Sequence, residues 1–229
     1  MPAPWPEAAR ALRRDPVAMK FKFIAVEGPI GVGKSSLVDI LASRFDAQKI
    51  REDTNNPFLR DFYLDRPGSA FQCQLFFLLS RFRQQMELAQ ADLFDQVTLC
   101  DYVFAKDKIF AYLNLSDDEL MIYEKLFPVL EEKVPKPDLV IYLQASTPVL
   151  LERIRRRSRD LERDIAETYL TEVNRAYNYF FFHYDATPLL VINTSEIDFV
   201  HREADLEELI HQIQGMERGT RYFVPLGSS

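Results

Sequence analysis

FIAVEGPIGVGKSSLVDIL, residues 23–41, contains three local patterns in succession. An apolar run over residues 21–26 is the length of one buried strand and ends at Glu27-Gly28. Residues 35–41 carry apolar side chains at helical spacing. Between them stands Gly28-x4-Gly33-Lys34-Ser35, the phosphate-binding loop pattern in its required strand–turn–helix setting. Glycines let the backbone turn its N–H groups toward phosphate oxygens, and a helix N-terminus adds positive potential. Lys34 is placed to reach the β- and γ-phosphates, and the Ser35 hydroxyl to ligate Mg²⁺. The ATP-contacting set is Gly28, Gly31, Val32, Gly33, Lys34, Ser35 and Ser36. At average composition the bare pattern arises by chance in roughly 1% of chains this long. The flanking strand and helix lower that further, so the pattern points to a nucleoside triphosphate.

The rest of the chain sets bounds on this reading. Its 229 residues fit one domain, and 47% hydrophobic content supports a sizeable core. A net charge of −7 argues against a nucleic-acid-binding surface. Cys73 and Cys100 lie inside apolar runs without metal-ligand spacing, which reads as buried thiols in a reducing compartment. The three histidines are scattered and offer no zinc site. No apolar stretch reaches the ~18 residues of a membrane span. Residues 1–19 lack the apolar centre of a signal peptide and read as a flexible leader; cytoplasm is the expected location.

Working outward, residues 48–52 form a second expected strand, ending at Glu52, and residues 97–101 a third, ending at Asp101. Residues 138–143 and 189–193 complete five strands. Helices are expected over 55–64, 70–93, 104–112 and 117–130, the last with a Ser116/Glu119 capping box. Further helices are expected from 148 into the basic run 153–159, over 165–184 and over 206–214; residues 215–229 read as a loose tail. The alternation implies an α/β fold of the P-loop NTPase type, with a five-stranded parallel sheet and helices on both faces. Residues 20–214 form its single domain. Ligands in such sheets bind beyond the carboxyl ends of the strands, where the loop, Glu52 and Asp101 all fall.

A phosphate-transferring enzyme needs a group to take the acceptor's proton and an acidic group to organise Mg²⁺. Glu52 and Asp101 suit those tasks, although each alone is equally readable as a solvated strand-end carboxylate. The run from Arg153 to Arg159 holds five arginines in seven positions. Arg153 and Arg157 share a helix face, and arginine forks onto phosphate oxygens, so the run reads as a lid over the triphosphate. The aromatic stretch 177–184 is apolar nearly all round and suggests core or a helix–helix homodimer interface.

These residues resemble the deoxynucleoside kinases, the group containing deoxycytidine, deoxyguanosine and deoxyadenosine kinases, most closely the bacterial branch. The matching stretches within residues 21–214 are GPIGVGKSSL, EDTNNPFLRDFY, FQCQLFFLLSRFRQQ, DYVFAKDKIFA, PDLVIYLQA and ERIRRRSRDLERDIAETYL. The resemblance implies transfer of the γ-phosphate of Mg²⁺–ATP to the 5′-hydroxyl of a deoxynucleoside in nucleotide salvage. It makes Glu52 the general base and Asp101 the acidic residue of an Asp/Glu-Arg-Ser motif that helps hold Mg²⁺. It pairs Tyr63 with Glu162 on the 3′-hydroxyl and puts Gln74 on the base. Gln72 is a near competitor, but Gln74 keeps the family spacing to Tyr63 and Arg81. Lys34, Arg153, Arg157 and Arg159 then stabilise the transferring phosphoryl group. Arg81 and Asp107 match the pair lining the base pocket in deoxycytidine and purine kinases, which favours deoxyadenosine, deoxyguanosine or deoxycytidine over thymidine.

One departure stands out. Where the motif has arginine and then serine, this chain has Tyr102 and Val103. By resemblance that arginine contacts the 5′-oxygen and phosphates, and losing such a donor can cost on the order of 10²–10³ in rate. Two other readings therefore stay open: a nucleoside-monophosphate kinase of the same fold, and a nucleotide-binding regulatory protein with vestigial activity.

Overall fold

The computed structural model describes residues 19–90, 96–157 and 166–225. β1 (Phe23–Glu27) leads through the glycine loop into α1 (Lys34–Phe45). Then come β2 (Gln48–Ile50), α2 (Leu59–Tyr63), α3 (Ser69–Gln90), β3 (Thr98–Cys100) and a 3-10 turn (Phe104–Lys106) that runs into α4 (Asp107–Asn114). After α5 (Asp117–Glu131) the chain continues through β4 (Leu139–Gln144), α6 (Thr147–Arg157), α7 (Glu167–Phe182), β5 (Leu189–Asn193), α8 (Glu203–Gln214) and β6 (Thr220–Phe223).

All strand pairs are parallel, in the order β2-β3-β1-β4-β5-β6. Side chains alternate across a strand, so a strand buried on both faces must be apolar at every position. β4 shows this directly. Leu139, Ile141 and Leu143 enter one layer with Leu37, Val38 and Leu41 of α1 and Leu209 and Ile213 of α8. Val140 and Tyr142 enter the opposite layer with Val173, Tyr177 and Phe181 of α7. The Tyr142 and Phe181 rings stack with centroids 4.1 Å apart. A third cluster joins Leu78 of α3, Ala111 of α4 and Tyr123 and Phe127 of α5. Ser116 and Glu119 form the capping box at the start of α5.

The sheet has six strands where five were expected, because residues 220–223 of the expected tail form β6. β6 pairs only with β5, from Leu189↔Thr220 to Ile192↔Phe223, and its first three residues are exposed. An edge strand with so little burial carries no apolar run to announce it. β2 and β3 also stop before the carboxylates that were expected to end them. Asp101 N–H still reaches Ile50 O, but Glu52 N–H donates to Asp101 Oδ1 at 2.7 Å, so a side chain replaces the next rung of the ladder.

β1 lies between β3 and β4, and the chain leaves it first toward one side of the sheet and later toward the other. That reversal opens a cleft beyond the carboxyl end of β1, which is where the glycine loop sits.

Candidate active site

The loop is shaped by backbone constraints. Gly28 has φ +154°, and a Cβ there would come within 2.5 Å of Leu143 O and 2.9 Å of Val32 Cγ1. Gly31, at φ +83°, would meet Ile154 of α6 at 2.8 Å. Only glycine fits conformations this strained and approaches this close. Lys34 Nζ folds back onto Gly28 O at 2.5 Å and Pro29 O at 3.3 Å, with Glu27 Oε1 3.9 Å away. Burial lowers the pKa of its ammonium, and Glu27 opposes that shift. Ser35 Oγ donates to Asp101 Oδ2 at 3.3 Å, while the other Asp101 oxygen holds the Glu52 N–H. The loop, Asp101 and Glu52 are thus joined in one chain of contacts.

A cavity of about 720 Å³ opens beside them, lined by Lys34, Glu52, Tyr63, Gln74, Phe77, Arg81, Lys106 and Tyr169 among others. Glu52 is gripped on both oxygens. Arg81 Nε and Nη2 donate to Oε1 at 2.8 and 2.6 Å, and Lys106 Nζ donates to Oε2 at 2.6 Å. Burial raises the pKa of the Glu52 carboxyl, but the Lys106 and Arg81 charges outweigh it and hold the group down at about 2. Glu52 is therefore ionised at neutral pH.

Arg81 also binds Asp107 Oδ2 through Nη1, and it lies over the Phe77 ring with 4.9 Å to the centroid. The fully buried Asp107 accepts Gln74 Nε2 at 2.6 Å and the Tyr123 hydroxyl at 3.0 Å on Oδ1. Gln74 Nε2 reaches the Asp107 carbonyl as well, at 3.0 Å. A buried carboxylate and guanidinium are tolerated only with such complete pairing. Gln74, Arg81 and Asp107, expected at a base pocket, do come together, with Asp107 behind the other two. Tyr63 is 42% exposed along the cavity wall.

The basic run is only partly visible. Arg153 Nη1 donates to Val32 O at 3.2 Å and Thr194 Oγ1 at 3.0 Å, and its Nη2 donates to Thr194 O at 2.7 Å. It clasps the loop to the end of β5, so these N–H groups are committed to protein oxygens. Arg157 ends α6, and its side chain lies outside the described residues, as do Arg159 and Glu162.

Two central residues escaped the sequence reading. Glu27, fully buried at the end of β1, accepts the Gly28 and Val103 N–H groups at 2.8 and 3.0 Å and the Tyr177 hydroxyl at 3.2 Å. Lys106 lies between Glu52 and Glu27 and is 3% exposed. Beside Asp107 and Lys108 nothing in the sequence marks Lys106; lysine is almost never buried without a partner, and both of its partners come from distant parts of the chain. Tyr102 is fully buried: its hydroxyl donates to Gln84 Oε1 at 2.7 Å and accepts from Gln85 Nε2 at 2.9 Å, toward α3. Cys73 and Cys100 are free and buried, and burial pushes the Cys73 thiol up to about 11.

Comparison with known proteins gives a consistent answer. Residues 24–216 match the sequence profile of the family described as deoxynucleoside kinase. A deoxyguanosine kinase of Bacillus subtilis is 34% identical over 198 residues, covering 84% of this chain and 96% of that protein. A deoxyadenosine/deoxycytidine kinase of the same organism is 29% identical, covering 85% and 92%. A deoxyadenosine kinase of Dictyostelium discoideum is 34% identical, covering 87% and 80%. Among solved structures, deoxyadenosine kinase from M. mycoides with dATP bound superposes with a TM-score of 0.70 at 23% identity, covering 83% of this chain and 97% of that one, a likeness of fold.

Proposed function

The chain belongs to the deoxynucleoside kinase family, and we propose that it phosphorylates the 5′-hydroxyl of deoxyguanosine, deoxyadenosine or deoxycytidine in preference to thymidine. The observation that carries this reading is one cavity lined by both Lys34 of the phosphate loop and Glu52. ATP occupies the loop, and Lys34 leaves its contacts with Gly28 O and Pro29 O to meet the β- and γ-phosphates. Glu52 accepts the 5′-hydroxyl proton. A carboxylate held near pKa 2 is a weak base, which suits a loose transition state in which the proton leaves late and orientation counts most.

The base lies against Gln74, Arg81 and the Asp107 behind them. The polar edges of guanine, adenine and cytosine match this charged set better than the thymine methyl, and the names of the Bacillus and Dictyostelium relatives support the same choice. Tyr63 with Glu162 holds the 3′-hydroxyl, and Arg157 and Arg159 serve the phosphate side, with Arg153 holding the loop to the end of β5. Ser35 Oγ and Asp101 Oδ2 are two adjacent hard oxygens beside the loop, which fits Mg²⁺, an ion bound through few protein oxygens plus substrate phosphates. An ion held there would neutralise charge on the ATP phosphates. We assign the catalytic unit to residues 20–223, adding β6 to the 20–214 expected from sequence. The two unpaired thiols support a cytoplasmic location.

Steady-state phosphorylation of the four deoxynucleosides tests the reading. Glu52→Gln is expected to lose about 10²–10⁴ in kcat while still binding ATP. Unchanged turnover would remove Glu52 from the chemistry, and a kcat/KM for thymidine above the other three would overturn the base preference. A homodimer through α4 and α7 is supported by Tyr112, Tyr179 and Phe182, exposed by 59%, 70% and 74% on those helices. Sedimentation at twice the chain mass is the expected result, and a monomer at micromolar concentration removes the interface.

A further inference from the structure

We propose that Lys106 is a catalytic residue: it supplies the cation at the reacting hydroxyl oxygen that Tyr102 does not. The proposal rests on the reading of Glu52 as proton acceptor. Position 102 has no cation to offer. The Tyr102 ring packs with Ile50 and Cys100, and its hydroxyl is committed to Gln84 and Gln85. Lys106 arrives at the same chemistry from one turn further along the chain. The 3-10 turn that carries it follows Val103, whose N–H is pinned by Glu27 Oε2 at 3.0 Å and whose carbonyl accepts the Lys106 N–H at 3.1 Å. Nζ then lies 2.6 Å from Glu52 Oε2, 3.7 Å from Glu27 Oε2 and 5.9 Å from the centre of the Tyr102 ring. The residue that displaced the arginine thus lends its π-face to the substitute cation.

The division of labour on Glu52 makes this more than a structural ion pair. Arg81 takes Oε1 with two donors, so the hydroxyl must approach Oε2, the oxygen Lys106 touches, at the cavity surface that Lys106 and Lys34 share. A hydroxyl bound to Oε2 lies within reach of Nζ. In the transfer the 5′ O–H bond breaks and its proton goes to Glu52 Oε2. The oxygen forms its bond to the γ-phosphorus as the γ-phosphorus–bridging-oxygen bond breaks, and that electron pair leaves on the ADP β-phosphate. Glu52 loses its negative charge in the same event, which frees Lys106 to stabilise the charge on the attacking oxygen and the phosphoryl group.

Kinetics of Lys106 variants of the full chain test this. Lys106→Met is expected to lower kcat by about 10²–10³-fold with the Kd for ATP changed by less than about threefold. Lys106→Arg, which keeps the charge, falls between wild type and Lys106→Met. Lys106→Ala keeps the test open if the Met variant does not fold: added ethylammonium is expected to restore turnover. A kcat for Lys106→Met within about threefold of wild type overturns the proposal, as does ethylammonium that raises the melting temperature without restoring turnover. Glu52→Gln separates the two claims. If it keeps full turnover, the underlying reading fails; if it is inactive while Lys106→Met is active, only the role of Lys106 fails.

Discussion

The two ends of the cavity are built from different materials. The phosphate end is mainly backbone: Gly28, Gly31 and Gly33 at positive φ, a helix N-terminus, and two side chains, Lys34 and Ser35. The end where the acceptor is proposed to bind is almost entirely side chains brought from β2's exit, α3, the 3-10 turn, α4 and α5, where Glu52, Gln74, Arg81, Lys106, Asp107 and Tyr123 satisfy one another. A backbone-built site is a continuous string of sequence and tolerates side-chain change while refusing an added Cβ. A side-chain-built site is dispersed in sequence, and its stability depends on each member having its partner.

The contrast can be broken by substitution at either end. The largest effect is expected at the acceptor end, where Arg81→Met strips the partners from Glu52 Oε1 and Asp107 Oδ2 together. Leaving buried carboxylates without their cation typically costs about 3–5 kcal/mol, read as a lower urea midpoint. At the phosphate end, Gly28→Ala forces a side chain against Leu143 O in a conformation alanine avoids. The expected loss is about 1–3 kcal/mol in stability together with ATP binding, read by thermal melting and an ATP titration. An Arg81→Met protein more stable than Gly28→Ala, or a Gly28→Ala protein with normal ATP affinity, would mean that the two ends are not built on separate principles.

The same contrast explains what could be read from the chain. The glycine loop, β1, α1, β4 and β5 were legible because local spacing alone produces them, as in the alternation of Leu139, Ile141 and Leu143 with Val140 and Tyr142. β6 was not, because an edge strand with Thr220, Arg221 and Tyr222 exposed buries too little to leave a pattern. At the site, Glu52 was legible as a strand-end carboxylate beside the loop, Gln74, Arg81 and Asp107 came from the resemblance, and their convergence is a tertiary fact. Glu27 was read only as the place where the apolar run ends and Lys106 was not singled out, because burial and pairing are invisible until the strands are assembled. Arg153 was read as a lid arginine from its place in the basic run, its helix face shared with Arg157 and the resemblance; in the structure its N–H groups go to the Val32 and Thr194 carbonyls, contacts that spacing does not reveal.

The single guanidinium of Arg81 spans Glu52 and Asp107, and this has a consequence for how such an enzyme can be re-engineered or diverge. In the proposed reaction one rigid fork serves both the carboxylate that backs the base pocket and the carboxylate that receives the proton. A substitution made to admit a different base at position 81 or 107 therefore also alters the electrostatics of the reacting carboxylate. New selectivity reached by that route carries a loss of speed until another cation is recruited to Glu52, so changes that spare the fork, at wall positions such as Phe77 or Tyr169, offer the smoother path.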